Sequence, residues 1–166
     1  MQQIPLPATP AQVLAQIIVP AYQDLLPGKL GSDQASVMLL ATGLQESGFR
    51  TRVQVRGPAR GFWQAEQGGS IRAVLSNPVT RLYARAICLQ RAVAPTESDV
   101  YAALLNDDLL GCAFVRLDYF ADPQPLPTLG DADAAWECYL RVERPSQPRP
   151  LDWPHNYAAA LGAVTA

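Results

Sequence analysis

The sequence has little of several residue types on which common functional sites depend. Its 166 residues include one histidine, His155, and one lysine, Lys29, and all the other basic residues are arginine. A single histidine argues against a histidine-rich metal site and against a Ser-His-Asp triad that would need another one. Charged residues make up only 17% and the formal net charge is −2. This argues against a dedicated nucleic-acid-binding protein, because such proteins normally carry a basic excess.

Long apolar stretches and paired cysteines are also missing. No apolar run approaches the ~20 residues that a transmembrane helix requires, and the first ten residues, MQQIPLPATP, lack the basic region of a secretory signal. We therefore expect no membrane insertion, and synthesis in the cytoplasm without a signal peptide. Cys88, Cys112 and Cys138 form no Cys-x-x-Cys pair, so we expect three buried thiols rather than a disulfide or a metal site. No metal and no cofactor is predicted.

The pattern of apolar residues predicts a mainly α-helical fold. Apolar residues recur at three- and four-residue spacing, which predicts helices over 10–26, 33–47, 68–75, 77–92, 96–120, 131–144 and 155–164. Residues 1–10 are rich in proline and are predicted to form an extended N-terminal arm, followed by a single domain over residues 11–166. Alternation over residues 51–55 predicts a short strand, and hence at most a small β-hairpin.

Glu46 is the most informative residue, because it lies in the last turn of the helix predicted over 33–47. That helix is apolar nearly all round, which is typical of a buried, central helix. The helix dipole and burial both disfavour a charged carboxylate at this end, so both raise its pKa. A carboxyl group that keeps its proton near neutral pH suits a general acid for glycosidic cleavage. The alternative is an ordinary surface glutamate at a frayed helix end.

A segment rich in glycine and aromatic residues follows. Residues 57–64 read Gly-Pro-Ala-Arg-Gly-Phe-Trp-Gln, and glycines allow close approach of the backbone to a ligand. Phe62 and Trp63 offer flat apolar surfaces for sugar rings, and Gln64 offers paired donor and acceptor groups; the alternative is that the two aromatic rings cover the core. Nearby arginines are compatible with an anionic ligand, either peptide carboxylates or a nucleic-acid phosphate: Arg50, Arg52, Arg56 and Arg60. The alternative is a solvated loop that simply carries charge.

Residues 44–49, Leu-Gln-Glu-Ser-Gly-Phe, resemble the Glu-Ser motif of the soluble lytic transglycosylases and goose-type lysozymes. In that family a buried helix ends in the single catalytic glutamate, which is followed by serine. Residues 61–64, Gly-Phe-Trp-Gln, resemble the family's Gly-Leu-Met-Gln segment, which lines the same cleft and follows at a similar separation. The likeness covers residues 33–67 and extends to phage-encoded lysozyme-like proteins.

The resemblance implies a lysozyme-like helical domain that cleaves the β-1,4 bond between N-acetylmuramic acid and N-acetylglucosamine in peptidoglycan. Glu46 would act as general acid and base. The residues expected to bind substrate are Ser47, Phe62, Trp63, Gln64 and Tyr139. The family's third motif, Ala-Tyr-Asn-Ala-Gly, is not present as such, so the tyrosine that meets the glutamate would be Tyr139 or, as the alternative, Tyr157.

The same resemblance leaves the reaction and its setting open. Formation of an anhydro product needs no second carboxylate, whereas the usual two-carboxylate glycosidase has one within ~5–10 Å, for which Glu66 is the nearest candidate in sequence. The expected partners are peptidoglycan glycan strands and, following the phage resemblance, other virion proteins, with action at the periplasmic cell wall. The alternative function is a non-catalytic lysozyme-fold protein that binds glycan or serves in a virion.

Overall fold

The computed structural model describes residues 2–166, and this part of the chain is mainly helical, as the hydrophobic pattern predicts. A π-helical turn (Leu14–Ile18) follows α1, and a second (Gln67–Ile71) precedes α4. The α-helices are α1 (Pro10–Val13), α2 (Val19–Asp24), α3 (Asp33–Glu46), α4 (Arg72–Ser76), α5 (Arg81–Gln90), α6 (Glu97–Ala103), α7 (Asp108–Ala121), α8 (Ala132–Glu143) and α9 (Trp153–Thr165). None of the helices in the described part of the chain is both long and apolar enough to span a bilayer.

Helix α3 is the centre of the molecule. Its first turn is capped by Ser32, whose hydroxyl accepts a hydrogen bond from the Ala35 amide at 3.1 Å. Every residue from Ala35 to Gly43 is buried, because α9 packs along one side and the other sides are closed by α7, α8, α1 and the first π-helical turn. The Thr42 and Tyr119 hydroxyls lie 2.7 Å apart and link α3 to α7. This packing on all sides confirms the prediction of a buried central helix that ends at Glu46.

The chain between Pro95 and Phe120 corrects the prediction of one long helix over 96–120. Helix α6 ends at Ala103, and α7 begins at Asp108 after a turn. Asp107 caps α7 by accepting a hydrogen bond from the Leu110 amide at 3.3 Å. Because an N-cap residue has an extended backbone conformation, Asp107 also interrupts any helix that precedes it. Both Asp107 and Asp108 are buried.

The predicted β-hairpin is not confirmed. Within residues 2–166 the extended pairing consists of two isolated antiparallel bridges, Val53 with Arg60 and Arg60 with Ala65. The alternation over 51–55 instead belongs to an irregular loop in which Val53 and Val55 are 53% and 85% exposed. Apolar and polar residues can therefore alternate along a segment that does not form a strand.

Residues 2–9 form neither helix nor strand, and this N-terminal arm is packed onto the body of the protein. Ile4 and Ala8 are buried. The Ala8 amide donates to the Phe49 carbonyl at 3.0 Å, and the Ile4 amide donates to the Asp108 carboxylate at 3.0 Å. Met1, the first residue of the predicted arm, lies outside the described residues. The arm is thus part of the fold around the end of α3, not a free tail.

Gly43 provides a test of how tightly α3 is packed. A Cβ atom at this position would lie 2.2 Å from Cε1 of the Phe49 ring, so we expect Gly43→Ala to lower the free energy of unfolding by ~1–3 kcal/mol. Gly162 in α9 is the matched control, because a Cβ there meets nothing within 4 Å, and Gly162→Ala should raise stability by ~0.5–1 kcal/mol. Urea unfolding measures both variants, and equal effects would contradict the close packing at Gly43.

Candidate active-site cleft

The end of α3 carries Glu46 to the surface of a cleft. Gly48 follows in the left-handed conformation (φ 61°), and its amide donates to the Gly43 carbonyl at 3.1 Å, which terminates the helix as a glycine cap does. Phe49 then turns back and buries its ring against Gly43. The sharp turn leaves Glu46 partly exposed on a helix whose other residues are nearly all buried.

Tyr139 is the tyrosine that meets Glu46. Its hydroxyl donates a hydrogen bond of 2.6 Å to Oε1 of Glu46. The Tyr139 ring packs in a cluster with Trp136 and Trp153, in which the three centroid distances are 5.2, 5.1 and 5.3 Å, so the direction of the hydroxyl is held by packing. The Tyr157 hydroxyl instead accepts a hydrogen bond from the Gly130 amide at 3.0 Å. Of the two tyrosines considered from the sequence, only Tyr139 lies at the carboxyl group.

The surroundings of Glu46 act on its charge in opposing directions. Burial raises the pKa of the Glu46 carboxyl, the Tyr139 hydrogen bond and the Arg149 charge lower it, and the Glu66 charge raises it. The result is a pKa above the ordinary value. Glu46 therefore holds its proton more readily than an exposed glutamate does, while the Tyr139 hydroxyl remains in place to stabilise the carboxylate once that proton has left.

Glu46 lies in the wall of a cleft that has a volume of about 1110 Å³. One side is formed by the loop over residues 51–59, another by residues 66–76, and a third by residues 142–149 at the end of α8 and beyond. Ser47, Trp63 and Gln64 also line it. A cleft of this size exceeds the ~300–1,000 Å³ of ordinary small-molecule pockets, so it has room for an extended ligand such as an oligosaccharide.

The aromatic residues Phe62 and Trp63 correct the expectation of free surfaces for sugar rings. Phe62 is 1% exposed and Trp63 is 3% exposed, and both rings pack edge to face against Phe49 at centroid distances of 5.3 and 6.4 Å. The indole nitrogen of Trp63 donates to the Leu39 carbonyl at 2.8 Å. The alternative from the sequence is therefore the correct one: these rings are core, and only an edge of Trp63 reaches the cleft.

Ser47 and Gln64 shape the cleft through hydrogen bonds to the backbone. The Ser47 hydroxyl donates to the Phe62 carbonyl at 2.7 Å, which ties the end of α3 to the segment Gly61–Gln64. Gln64 is in the left-handed conformation (φ 50°), and its side-chain amide donates to the Gly61 carbonyl at 2.7 Å. The two short motifs noted in the sequence are thus joined by direct contact, with Glu46 beside them.

The arginines of this region do not form one anion-binding group. Arg52 is buried and donates to both carboxylate oxygens of Asp108, at 2.6 and 2.5 Å. Arg60 lies over the Tyr101 ring, 3.8 Å from its centroid. Neither Arg50 nor Arg52 forms an ion pair with Glu46 among the described residues. The expectation of a shared anionic ligand at the four arginines is therefore wrong for Arg52, and the carboxyl of Glu46 is left facing the cleft.

Two further carboxyl groups, Asp118 and Glu143, line the cleft and were missed from the sequence. Burial raises the pKa of Asp118 to about 6 and that of Glu143 well above its ordinary value. In the described part of the chain, Oε1 of Glu143 is buried without a hydrogen-bond partner. Both groups also border a small cavity of about 20 Å³ behind the cleft. The sequence does contain a signal for Glu143: it lies four residues after Tyr139, and this spacing places both residues on one face of α8.

The buried carboxyl of Asp118 predicts a specific pH dependence of stability. Its folded pKa lies above its unfolded value, so ionisation is resisted only in the folded state, and stability falls as the pH rises from about 4 to about 6. We expect Asp118→Asn to be more stable than the wild type above pH 7, by on the order of 2 kcal/mol, with the gap closing below pH 4. Urea midpoints across this range measure it. The exposed Asp24→Asn is the control, and a gap for Asp118→Asn that does not change with pH would contradict the prediction.

The cleft brings together a carboxyl group whose pKa burial raises, a tyrosine whose hydroxyl donates to that carboxyl group, and space for an extended ligand. Residues 2–166 contain no cluster of histidine, cysteine or acidic residues that could hold a metal ion. All three cysteines are buried free thiols, as predicted from their spacing. Comparison of the chain with protein-family models, with curated proteins and with solved structures finds no match.

Proposed function

We propose that the chain is a lysozyme-like glycosidase that cleaves the β-1,4 bond between N-acetylmuramic acid and N-acetylglucosamine in peptidoglycan, with Glu46 as general acid and base. The observation that carries the proposal is the 2.6 Å hydrogen bond from Tyr139 to Glu46 in the wall of a cleft of about 1110 Å³. The pairing is what the resemblance of residues 44–49 and 61–64 to the lytic transglycosylases and goose-type lysozymes implies.

In the proposed reaction, protonated Glu46 donates its proton to the glycosidic oxygen while the bond from that oxygen to the muramyl C1 breaks. The electron pair of that bond stays with the departing sugar, which leaves as an alcohol, and positive charge develops at C1. The Tyr139 hydroxyl stabilises the newly formed Glu46 carboxylate. That carboxylate then takes a proton from the attacking oxygen, and Glu46 returns to its starting state.

The attacking oxygen is either the muramyl 6-hydroxyl, which closes an anhydro ring, or a water molecule. The first route needs no further carboxylate. The second needs a group that positions the water, for which the cleft offers the exposed Glu66 and the half-buried Asp118 and Glu143. Both routes start from the same protonated Glu46.

Mass spectrometry of the soluble muropeptides released from purified sacculi tests the proposal. We expect release by the wild-type protein, with anhydro-muramyl ends identifying a lytic transglycosylase and reducing muramyl ends identifying a muramidase. The absence of release by a folded protein that still sediments with sacculi would contradict an enzyme and favour the alternative, a lysozyme-fold protein that only binds glycan. The absence of both release and binding would contradict a cell-wall function.

The proposed substrate lies outside the cytoplasm of the host bacterium. The phage resemblance supplies two routes to it: the protein passes through a membrane lesion as an endolysin, or it travels in the virion together with other virion proteins. Immunodetection in purified particles distinguishes the two, because only the second predicts a fixed copy number per particle.

A further inference from the structure

Gln45, the residue directly before Glu46, joins two distant parts of the chain. It is only 2% exposed. Its side-chain nitrogen donates to the Arg149 carbonyl at 3.0 Å, and its side-chain oxygen accepts from the Asn156 amide at 2.9 Å. The segment between α8 and α9 is thereby fastened to the end of α3, one residue away from the proposed general acid.

The side chain of Arg149 reaches the same place. Its guanidinium donates to the backbone carbonyl of Gln45 and pairs with Asp152 at 3.0 Å. The last carbonyl groups of a helix lack partners within that helix, and a cation there is favourable. Backbone and side chain of Arg149 are therefore both held at Gln45, and both Arg149 and Glu46 line the cleft.

A positive charge beside the end of α3 would stabilise the carboxylate form of Glu46. Glu46 carries its charge at the negative end of the α3 dipole and in a partly buried site, and both features oppose formation of the carboxylate. The other charged groups that act on this region, Glu66 and Glu143, are acidic, and Tyr139 contributes one hydrogen bond. Arg149 is the cation whose charge acts on Glu46 in the favourable direction.

We propose that Arg149 is a positioning residue for Glu46, held at the end of α3 by Gln45 and Asn156, and that it stabilises the carboxylate that Glu46 becomes after it has donated its proton. This role rests on the proposed function. We call Gln45 and Asn156 the clamp. The consequence of this role is that these two neutral residues, which do not line the cleft, control how readily Glu46 gives up its proton.

The test is a ¹³C NMR titration of the Glu46 carboxyl in folded variants of the full chain, which needs no turnover. We expect Arg149→Met to raise the pKa of Glu46, and Gln45→Met to raise it by a smaller amount although no charge is removed. Arg144→Met removes an exposed arginine from the same segment of the cleft wall and should leave the Glu46 pKa unchanged. Tyr139→Phe is the positive control, because it removes a hydrogen bond that lowers this pKa.

An unchanged Glu46 pKa in Arg149→Met would overturn the proposal. If Arg149→Met raises the Glu46 pKa and Gln45→Met does not change it, the charge of Arg149 acts on Glu46 without being positioned by Gln45. That result would contradict the role of the clamp. Should Gln45→Met fail to fold, Asn156→Ala removes one of the two Gln45 side-chain bonds and tests the same step. If sacculi release no muropeptides, the proposed function fails on that result alone, while the titration still decides whether Arg149 acts on Glu46.

Discussion

Glu46→Gln is expected to reduce muropeptide release by at least ~10²–10⁴-fold, the range that a general acid contributes. The amide keeps the size of the side chain and an oxygen that accepts the Tyr139 hydrogen bond, but it has no proton to give to the glycosidic oxygen. The cost of burying a charge at the end of α3 also disappears, so the free energy of unfolding should stay the same or rise. Loss of release without loss of stability is the result that identifies a catalytic residue.

Glu66→Gln is the matched control for this experiment. Glu66 is an exposed carboxylate in the same cleft, and its charge raises the pKa of Glu46. If the reaction closes an anhydro ring, this variant should retain most of its release, with the alkaline limb of its pH profile moved to lower pH. Equal release by wild type and Glu46→Gln would remove Glu46 from the mechanism.

Asp108→Ala is expected to have the largest effect on stability, a loss of ~3–5 kcal/mol. The Asp108 side chain is fully buried and that of Arg52 is 9% exposed, with a closest approach of 2.5 Å. Removing the carboxylate leaves the Arg52 guanidinium without its counter-charge in the interior, and leaves the Ile4 amide without the acceptor that it has at 3.0 Å. The first residues of the arm should detach, so that limited proteolysis cuts there before it cuts elsewhere.

Glu97→Ala provides the comparison for this ion pair. It breaks the pair between Glu97 and Arg72, whose side chains are 33% and 63% exposed, and exposed pairs contribute ~0–1 kcal/mol. Urea unfolding of the two variants should therefore differ by several kcal/mol. Similar losses in both, or an intact arm in Asp108→Ala, would contradict the role assigned to the buried pair.

Local signals in the sequence were sufficient for most of the helices and for the position of Glu46 at the end of one of them. Helix α3 could be predicted within one residue, because its serine cap, its nearly continuous apolar composition and its terminal glycine act within a few positions of one another. The division between α6 and α7 could not, because two aspartates within an apolar pattern are compatible with the exposed side of one continuous helix until their partners are known. Those partners, Arg91 and Arg52, stand 16 and 56 positions away in the chain.

The candidate site likewise contains residues that the sequence indicates and residues that only the tertiary structure reveals. The sequence places Glu46 near the end of a buried helix and offers Tyr139 and Tyr157 as its partner. The contact between Tyr139 and Glu46, which are 93 positions apart, is decided only when α8 packs against α3. The acids Asp118 and Glu143 were missed because a carboxylate on a helix is ordinary until its burial is known.

By itself, the sequence determined what depends on neighbours within a turn or two: most of the helices, the glycine that follows α3 at position 48, and the carboxyl at the end of α3. Only the tertiary structure decided which side chains are core and which face the cleft. Phe62 and Trp63 became core because Phe49 and α3 cover them, and Arg149 lies at the end of α3 because its backbone and its side chain are both bound to Gln45. Burial and charge pairing are sums over groups far apart in the chain, so local spacing does not contain them.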